Sequence, residues 1–349
     1  MKKVRVVLLF GGISAEHEVS CLSAASILKN LDPQRYEVIP VGVARNGGWY
    51  RQTGVLLPLP RVTEDKAEQV SVVPGVGLFV MGRPLSADVV FLITHGVQGE
   101  DGRIQGLLDC AGVRYTGSGV VGSALGMDKA FAKQVWQHHS LPVVAWLSAH
   151  QSLHSTPTQA AALCTEAVAT LGLPLFIKPS NSGSSVGVTK VISAEGFLPA
   201  LQAAFAVDAK VLVEKAVNGR EIEVAVLGSG STRAFGPGEV VPHHEFYDYD
   251  AKYLDPDGAG LEIPAQLDPA VAARILDLAQ AAYQVLDCRG FARVDFFVDR
   301  ETGEVALNEI NTLPGFTTIS MFPRMVLSAG ITYPALLDNL IEQALEGAP

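Results

Sequence analysis

The apolar run from Val4 to Phe10, broken only by Arg5, has the near-continuous hydrophobicity of a strand in a parallel sheet. Gly11-Gly12-Ile13-Ser14 then turns the chain into a stretch whose apolar positions Val19, Leu22 and Ile27 predict a helix. Tyr36 to Val43 and Val89 to Thr94 read as further strands, and Gly102 to Cys110 as a short helix closed at Gly112. Between them, Arg51 to Gly77 carries Pro58, Pro60, Pro74 and several charges without a clear period, and reads as an irregular excursion. A change of domain is expected near Gly117-Ser118-Gly119, ahead of a helical stretch from Asp128 to His139. Thr156-Pro157 opens a helix with proline at its first position, an apolar stripe at Ala161, Cys164, Val168 and Leu171, and a stop at Gly172. Phe176 to Pro179 and Val211 to Lys215 look like strands on either side of the serine- and glycine-rich turn Ser180 to Gly187. Asp268-Pro269 caps another helix, with Val271, Ile275, Leu278, Ala282 and Val285 turned inward.

The clearest period-two pattern lies after that helix. From Phe291 to Val298 the alternation puts Arg293 and Asp295 on one face and Val294, Phe296 and Val298 on the other. Arg300-Glu301-Thr302-Gly303 reads as a hairpin loop, and the return strand Val305 to Asn311 puts Glu309 and Asn311 on a common face. Neighbouring strands lie about 5 Å apart, so Asp295, Glu309 and Asn311 could share a cation. Carboxylate and amide oxygens are hard donors suited to Mg²⁺, which completes its shell with water and nucleotide phosphates. Arg293 could then face a developing oxyanion. An exposed hairpin with a solvated acidic face leaves the same pattern, so other motifs must decide.

Composition narrows the class. A chain of 349 residues, 48% hydrophobic and 18% charged, exceeds one ordinary core and implies two or three globular domains. The net charge of −10 gives no electrostatic footprint for nucleic acid or an anionic membrane, so phosphate groups must be held by local cations. Cys21, Cys110, Cys164 and Cys288 are scattered without metal-type spacing, as suits thiols in a reducing compartment, and the Val4 to Phe10 run is too short to span a bilayer. Cytoplasmic location is the expectation.

Lys178-Pro179-Ser180-Asn181-Ser182-Gly183-Ser184-Ser185-Val186-Gly187 offers flexible backbone amides, hydroxyls and a lysine, which together could fold over a triphosphate. It lacks the P-loop pattern, and a surface hairpin tip without a ligand is equally compatible with it. Glu214-Lys215-Ala216-Val217, followed by Glu221, could present a carboxylate and backbone to a purine edge, although an ordinary surface salt bridge would look the same. The order of Lys129, Lys178, the serine-glycine loop, Glu214-Lys215, Asp295 and Glu309-Ile310-Asn311 resembles the ATP-grasp superfamily. Gly11 to Ser20, His95-Gly96 with Glu100-Asp101-Gly102, and Phe246 to Tyr253 narrow that resemblance to the D-alanine–D-alanine ligase family over essentially the whole chain outside Arg51 to Gly77.

The resemblance implies an α/β and α+β ATP-grasp architecture of three domains. A parallel-sheet domain would occupy residues 1–117, and two α+β domains enclosing ATP would occupy 118–217 and 218–349. It implies that Lys129, Lys178, Ser185, Glu214, Lys215, Val217, Glu221 and Asn308 hold ATP, and that Asp295, Glu309 and Asn311 hold two Mg²⁺ or Mn²⁺ ions, with Glu309 bridging. Glu16 would receive the ammonium of the first D-alanine and His95 would lie near its carboxylate. Ser184 and Tyr253 would link to Glu16, Lys252 would reach the γ-phosphate, Arg293 with the Gly315 amide would form the oxyanion site, and Gly315 and Ser320 would receive the second D-alanine. The tyrosine at position 253 follows the pattern of relatives that make amide products. Implied partners are ATP, two D-alanine molecules and a second copy of the chain, with neither nucleic acid nor membrane, and the implied role is a step of peptidoglycan precursor synthesis. Another carboxylate–amine ligase of the superfamily, or a nucleotide-binding regulatory module without turnover, remain as alternatives.

Overall fold

The computed structural model describes residues 2–53, 61–242 and 259–347. Strands β1 (Val4–Gly11), β2 (Tyr36–Val43), β3 (Trp49–Arg51), β4 (Gln69–Val73), β5 (Gly77–Val80), β6 (Arg83–Pro84) and β7 (Val89–Leu92) form one sheet in the order β6-β5-β4-β3-β2-β1-β7. β1 is parallel to β2 and β7, while the pairs from β2 out to β6 are antiparallel. Val6 to Phe10 have no exposed surface, as the apolar run requires of a strand covered on both faces. At its end Gly11 adopts φ +86°, and a Cβ there would fall 2.4 Å from the Val43 carbonyl oxygen, so only glycine makes this turn.

Helix α1 (His17–Asn30) follows, but its buried face differs from expectation: Leu22 is 48% exposed, whereas Ser20 and Ser23 are fully buried. The reason is backbone satisfaction at the strand ends. The Ser20 hydroxyl accepts from Gly11 N and donates to the Ile93 carbonyl, and Ser23 Oγ accepts from Phe316 N. The Arg51 to Gly77 segment is also more regular than its pattern suggests, since it contains β4 and a short 3₁₀ turn at Lys66–Glu68 capped by Asp65. With Val70 the only fully buried residue of β4, the alternation is too shallow to read in sequence.

β8 (Trp146–His150), β9 (Leu175–Pro179), β10 (Thr189–Val191) and β11 (Lys210–Lys215) make an antiparallel sheet in the order β10-β9-β11-β8. Helices Pro157–Leu171 and Phe197–Phe205 pack on it. The first buries Ala160, Leu163 and Ala167 most deeply, while of the expected stripe Cys164 and Leu171 pack against the same core, Val168 is half-buried and Ala161 is exposed, so the centre of the buried face is turned toward the preceding residues. Small Ala160 and Ala167 let the helix axis lie close to the sheet, and this outweighs the larger side chain of Val168. β12 (Gly219–Leu227), β13 (Arg233–Pro242), β14 (Ala259–Glu262), β15 (Phe291–Asp299) and β16 (Val305–Asn311) form a second antiparallel sheet, ordered β14-β13-β12-β15-β16 and covered by helix Pro269–Val285.

The largest core joins the first sheet to the end of the chain. Phe291, Leu313, Phe316 and Phe322, with Leu336 and Leu340 of the last helix Tyr333–Glu346, pack in one cluster with Leu8, Phe10 and Phe91. Arg35 pairs with Asp338 and Glu342, and the Tyr36 hydroxyl donates to Asp338. Among the described residues no helix is long and apolar enough to cross a membrane.

Candidate active site

The hairpin of β15 and β16 sets Asp295 directly opposite Glu309 and Arg293 opposite Asn311. A register shift after Asp295 leaves Asn308 as the extra residue of a bulge, with Phe296 opposite Leu307. Strict alternation would place Glu309 on the same face as Val305 and Leu307, both of which are buried in the core. The bulge resets the phase, so that Ile310 points into the core while Glu309 and Asn311 face outward. Arg293 engages both oxygens of Asp295 at 2.7 Å and lies 3.1 Å from Glu223 on β12. The Lys129 ammonium lies 3.3 Å from Glu309.

Among the described residues no three of the His, Cys, Asp and Glu side chains are grouped as metal ligands. The hairpin instead sets the Asp295 and Glu309 carboxylates and the Asn311 amide on neighbouring positions, hard-oxygen donors of the kind Mg²⁺ or Mn²⁺ takes, with Asp295 held by Arg293 and the Asn311 oxygen by Leu313 N.

Across from the hairpin lies Glu214, the buried end of β11. Lys178 of β9 is 2.7 Å from one of its oxygens and Lys133 is 3.0 Å from the other. Burial alone would push the Glu214 carboxyl up, but the two ammonium groups outweigh it and hold the group below its ordinary range. Lys178 also donates to Asn308 at 3.2 Å, so the bulge residue ties the two sheets together. Lys133 lies one helical turn beyond Lys129 in the helix Lys129–His138, a spacing visible in the sequence but not used there.

The Ser180 to Gly187 loop is fixed at its base by Asp128, the N-cap of that helix. Asp128 accepts from Phe131 N and from the Ser180 hydroxyl, and pairs with Lys210. Lys129 donates to the Ser182 carbonyl at 2.8 Å. Ser184 and Ser185 take φ values of +51° and +59°, left-handed conformations that cost on the order of 1–3 kcal/mol each in non-glycine residues. That strained pair aims the Ser184 hydroxyl at Glu16, to which it donates a hydrogen bond.

Glu16 precedes α1 and abuts Gly96, where a Cβ would lie 2.6 Å from Glu16 Oε2 and 2.8 Å from Ser14 Cβ, at φ +72°. Gly96→Ala should therefore displace Glu16, raising the KM for an amino acid bound there by about tenfold or more and destabilising the fold by about 1–2 kcal/mol. Steady-state kinetics and thermal unfolding check this, and a parent-like KM would show that Glu16 holds no substrate.

His95 is almost wholly buried. Its Nδ1 lies 2.8 Å from the Leu313 carbonyl and 3.6 Å from Glu100, and its Nε2 lies 3.3 Å from Ser23. Burial pushes the imidazole down, but the adjoining Glu100 carboxylate prevails and raises it above the ordinary value. The residue thus couples the first sheet to the Leu313-Pro314-Gly315 turn. Ser320 caps this region, its hydroxyl accepting from Thr317 N at 3.0 Å and lying 2.8 Å from where a Gly315 Cβ would stand.

The structure thus links Lys129, Lys178, Glu214, Asn308, Glu309, Asp295 and Arg293 in one continuous set of contacts, with Glu16 and Ser184 joined beyond the loop that Lys129 holds through Ser182. Glu221 lies two residues before Glu223 on β12, while the Lys215 side chain is exposed and Val217 half-buried beyond β11. Lys252 and Tyr253 lie outside the described residues. In sequence, Lys133, Glu223, Glu100 and Asp128 carry no site role, although Glu100 stands in a motif that carries the resemblance and Asp128 opens a helical stretch. Beyond that, the spacing of Asp128, Lys129 and Lys133, and of Glu221 and Glu223, was their only local signal.

A model described as D-ala D-ala ligase N-terminus matches residues 5–118, and one described as D-ala D-ala ligase C-terminus matches residues 135–342. The chain is 42% identical to the D-alanine–D-alanine ligase of Caldicellulosiruptor bescii, over 99% of this chain and 96% of the relative. Its fold matches the structure of the D-alanine-D-alanine ligase from Coxiella burnetii with a TM-score of 0.85 and 34% identity, covering 99% and 95% of the two chains. It also matches the VanG D-Ala:D-Ser ligase from Enterococcus faecalis, with a TM-score of 0.86 and 33% identity over 98% and 100%. The N-terminus match takes in Glu16 and the C-terminus match takes in Lys178, Glu214, Arg293, Asp295, Asn308 and Glu309, and the chain belongs to the D-alanine–D-alanine ligase family of ATP-grasp enzymes.

Proposed function

We propose that this chain joins two D-alanine molecules to D-alanyl-D-alanine through a D-alanyl phosphate, releasing ADP and phosphate, as a cytoplasmic step of peptidoglycan precursor synthesis. The observation that carries the reading is the bond from Ser184 to Glu16, because it sets an ammonium-binding carboxylate against the loop suited to cover polyphosphate. An amino acid bound through its ammonium at Glu16 therefore lies next to the γ-phosphoryl group, which its carboxylate must attack.

A carboxylate cannot be displaced by an amine until its oxygen becomes a leaving group, and phosphorylation supplies one. Two divalent cations held by Asp295, Glu309 and Asn311 would neutralise phosphate oxygens during that approach of anions. Lys129 and Lys178 add fixed positive charge on the same side, and Arg293 turns from Asp295 toward the oxyanion that forms when the second amine attacks. The Gly315 amide and Ser320 receive the carboxylate of the second D-alanine. Serine and alanine differ by one hydroxyl, so the family likeness to a D-Ala:D-Ser ligase makes that second pocket the place where specificity is set.

The test is release of ADP with ATP, Mg²⁺ and a panel of D-alanine, D-serine, D-lactate and L-amino acids. D-alanine should stimulate most. The dipeptide share over depsipeptide in mixtures of D-alanine and D-lactate should grow as pH rises toward about 9, because the attacking amine must first shed its ammonium proton. Stimulation by another amino acid in place of D-alanine would overturn the substrate assignment.

A further inference from the structure

Glu214 is a single buried carboxylate with a cation on each oxygen, Lys178 at 2.7 Å and Lys133 at 3.0 Å. Two ammonium groups against one carboxylate leave a net positive charge in a nearly dry site, where charge is weakly screened. The two lysines are placed differently. Lys178 reaches Asn308 of the β15–β16 hairpin at 3.2 Å, whereas Lys133 has no exposed surface and is sealed behind its own helix. Lys133 therefore cannot touch a ligand and acts through the charges it faces, Glu214 at 3.0 Å first, with Lys178 and Glu309 at longer range. Neither Lys133 Nζ nor Glu214 Oε1 has an aligned hydrogen bond among the described residues, so their contact is Coulombic attraction. With Lys133 absent, Lys178 and Glu214 would form a closed, neutral pair, and the pull of Lys178 on an anion would be largely cancelled.

We propose that Lys133 is a positioning residue for nucleotide binding: by balancing Glu214 from the core side, it leaves the charge of Lys178 available to the polyphosphate. The inference deepens the proposed function and rests on the placement of Lys178 at the nucleotide. Burial draws the Lys133 ammonium down to about 8, with Glu214 opposing the shift, so it remains mainly charged at neutral pH.

The experiment compares equilibrium binding of ATP and of adenosine to the full chain, without amino acid and with chelator present, so that the readout is independent of turnover. Lys133→Met should weaken ATP by about tenfold relative to adenosine. Glu214→Gln added to Lys133→Met should restore the ratio of the two affinities, because Lys178 is then released. Using the ratio removes any loss that Glu214→Gln causes at the base itself. Equal weakening of both ligands, an unchanged ratio in Lys133→Met, or no recovery in the double variant would each overturn the inference. Lys133→Gln, which keeps a polar group beside Glu214 but not the charge, should behave like Lys133→Met and carries the test if the latter does not fold. Lys178→Met separates the two levels: if it leaves the ratio unchanged, the placement of Lys178 at the nucleotide is wrong.

Discussion

Replacing Glu309 by glutamine is expected to lower ligation by at least about a thousandfold while the protein stays folded. The change keeps the size of the side chain but removes one of the two facing carboxylates of the hairpin, and with it the partner of Lys129. A cation site built from Asp295, Glu309 and Asn311 then has one carboxylate and two amides, too little negative charge to hold a divalent ion beside phosphates. Because Glu309 is half-exposed and its strand is anchored by Leu307 and Ile310, thermal unfolding should move little. Turnover within about tenfold of the parent, roughly 1.4 kcal/mol in barrier, would remove Glu309 from the chemistry.

The second large effect is expected at Arg293. Its guanidinium separates Asp295 from Glu223, with both oxygens of the former at 2.7 Å and one of the latter at 3.1 Å. Arg293→Met keeps much of the aliphatic volume, removes the donor to the oxyanion and leaves two carboxylates to repel. The kcat should fall by about a hundred- to a thousandfold, with a smaller change in KM for ATP. Divalent ions should raise the thermal midpoint of Arg293→Met more than that of the parent, since they replace the lost positive charge. A loss confined to KM, with kcat preserved, would show that Arg293 only shapes the ground state.

Much of this site was legible because its residues lie on short elements of fixed period. Arg293, Asp295 and Glu309 are read from alternation in one hairpin, and the order of Lys129, Lys178 and Glu214 carried the resemblance to a family. Glu309 and Asn311 share a face as alternation predicts, yet strict alternation alone would turn that face into the core with Val305 and Leu307. A bulge at Asn308 turns it outward, and a bulge leaves no mark in a pattern of apolar and polar letters. Lys133 was missed for a related reason, since a buried lysine is identified by what faces it inside the core and not by its neighbours in the chain. The inward serines of α1 and the rotated helix Pro157–Leu171 were misread because small residues bury where backbones approach closely, a property of the partner surface and not of hydrophobicity.

The shared core of the first sheet and the last helix bears on how the chain is made. Leu8, Phe10 and Phe91 share one cluster with Phe316, Phe322 and Leu336, so the first sheet cannot complete its interior until the chain has been made as far as Leu336. Translation proceeds at roughly 5–20 residues per second, so that sheet waits with an open apolar side while the four-stranded sheet, whose core is separate, is able to close. The order in which cores can be completed then runs against the order of synthesis, and the first sheet is left longest with apolar surface uncovered.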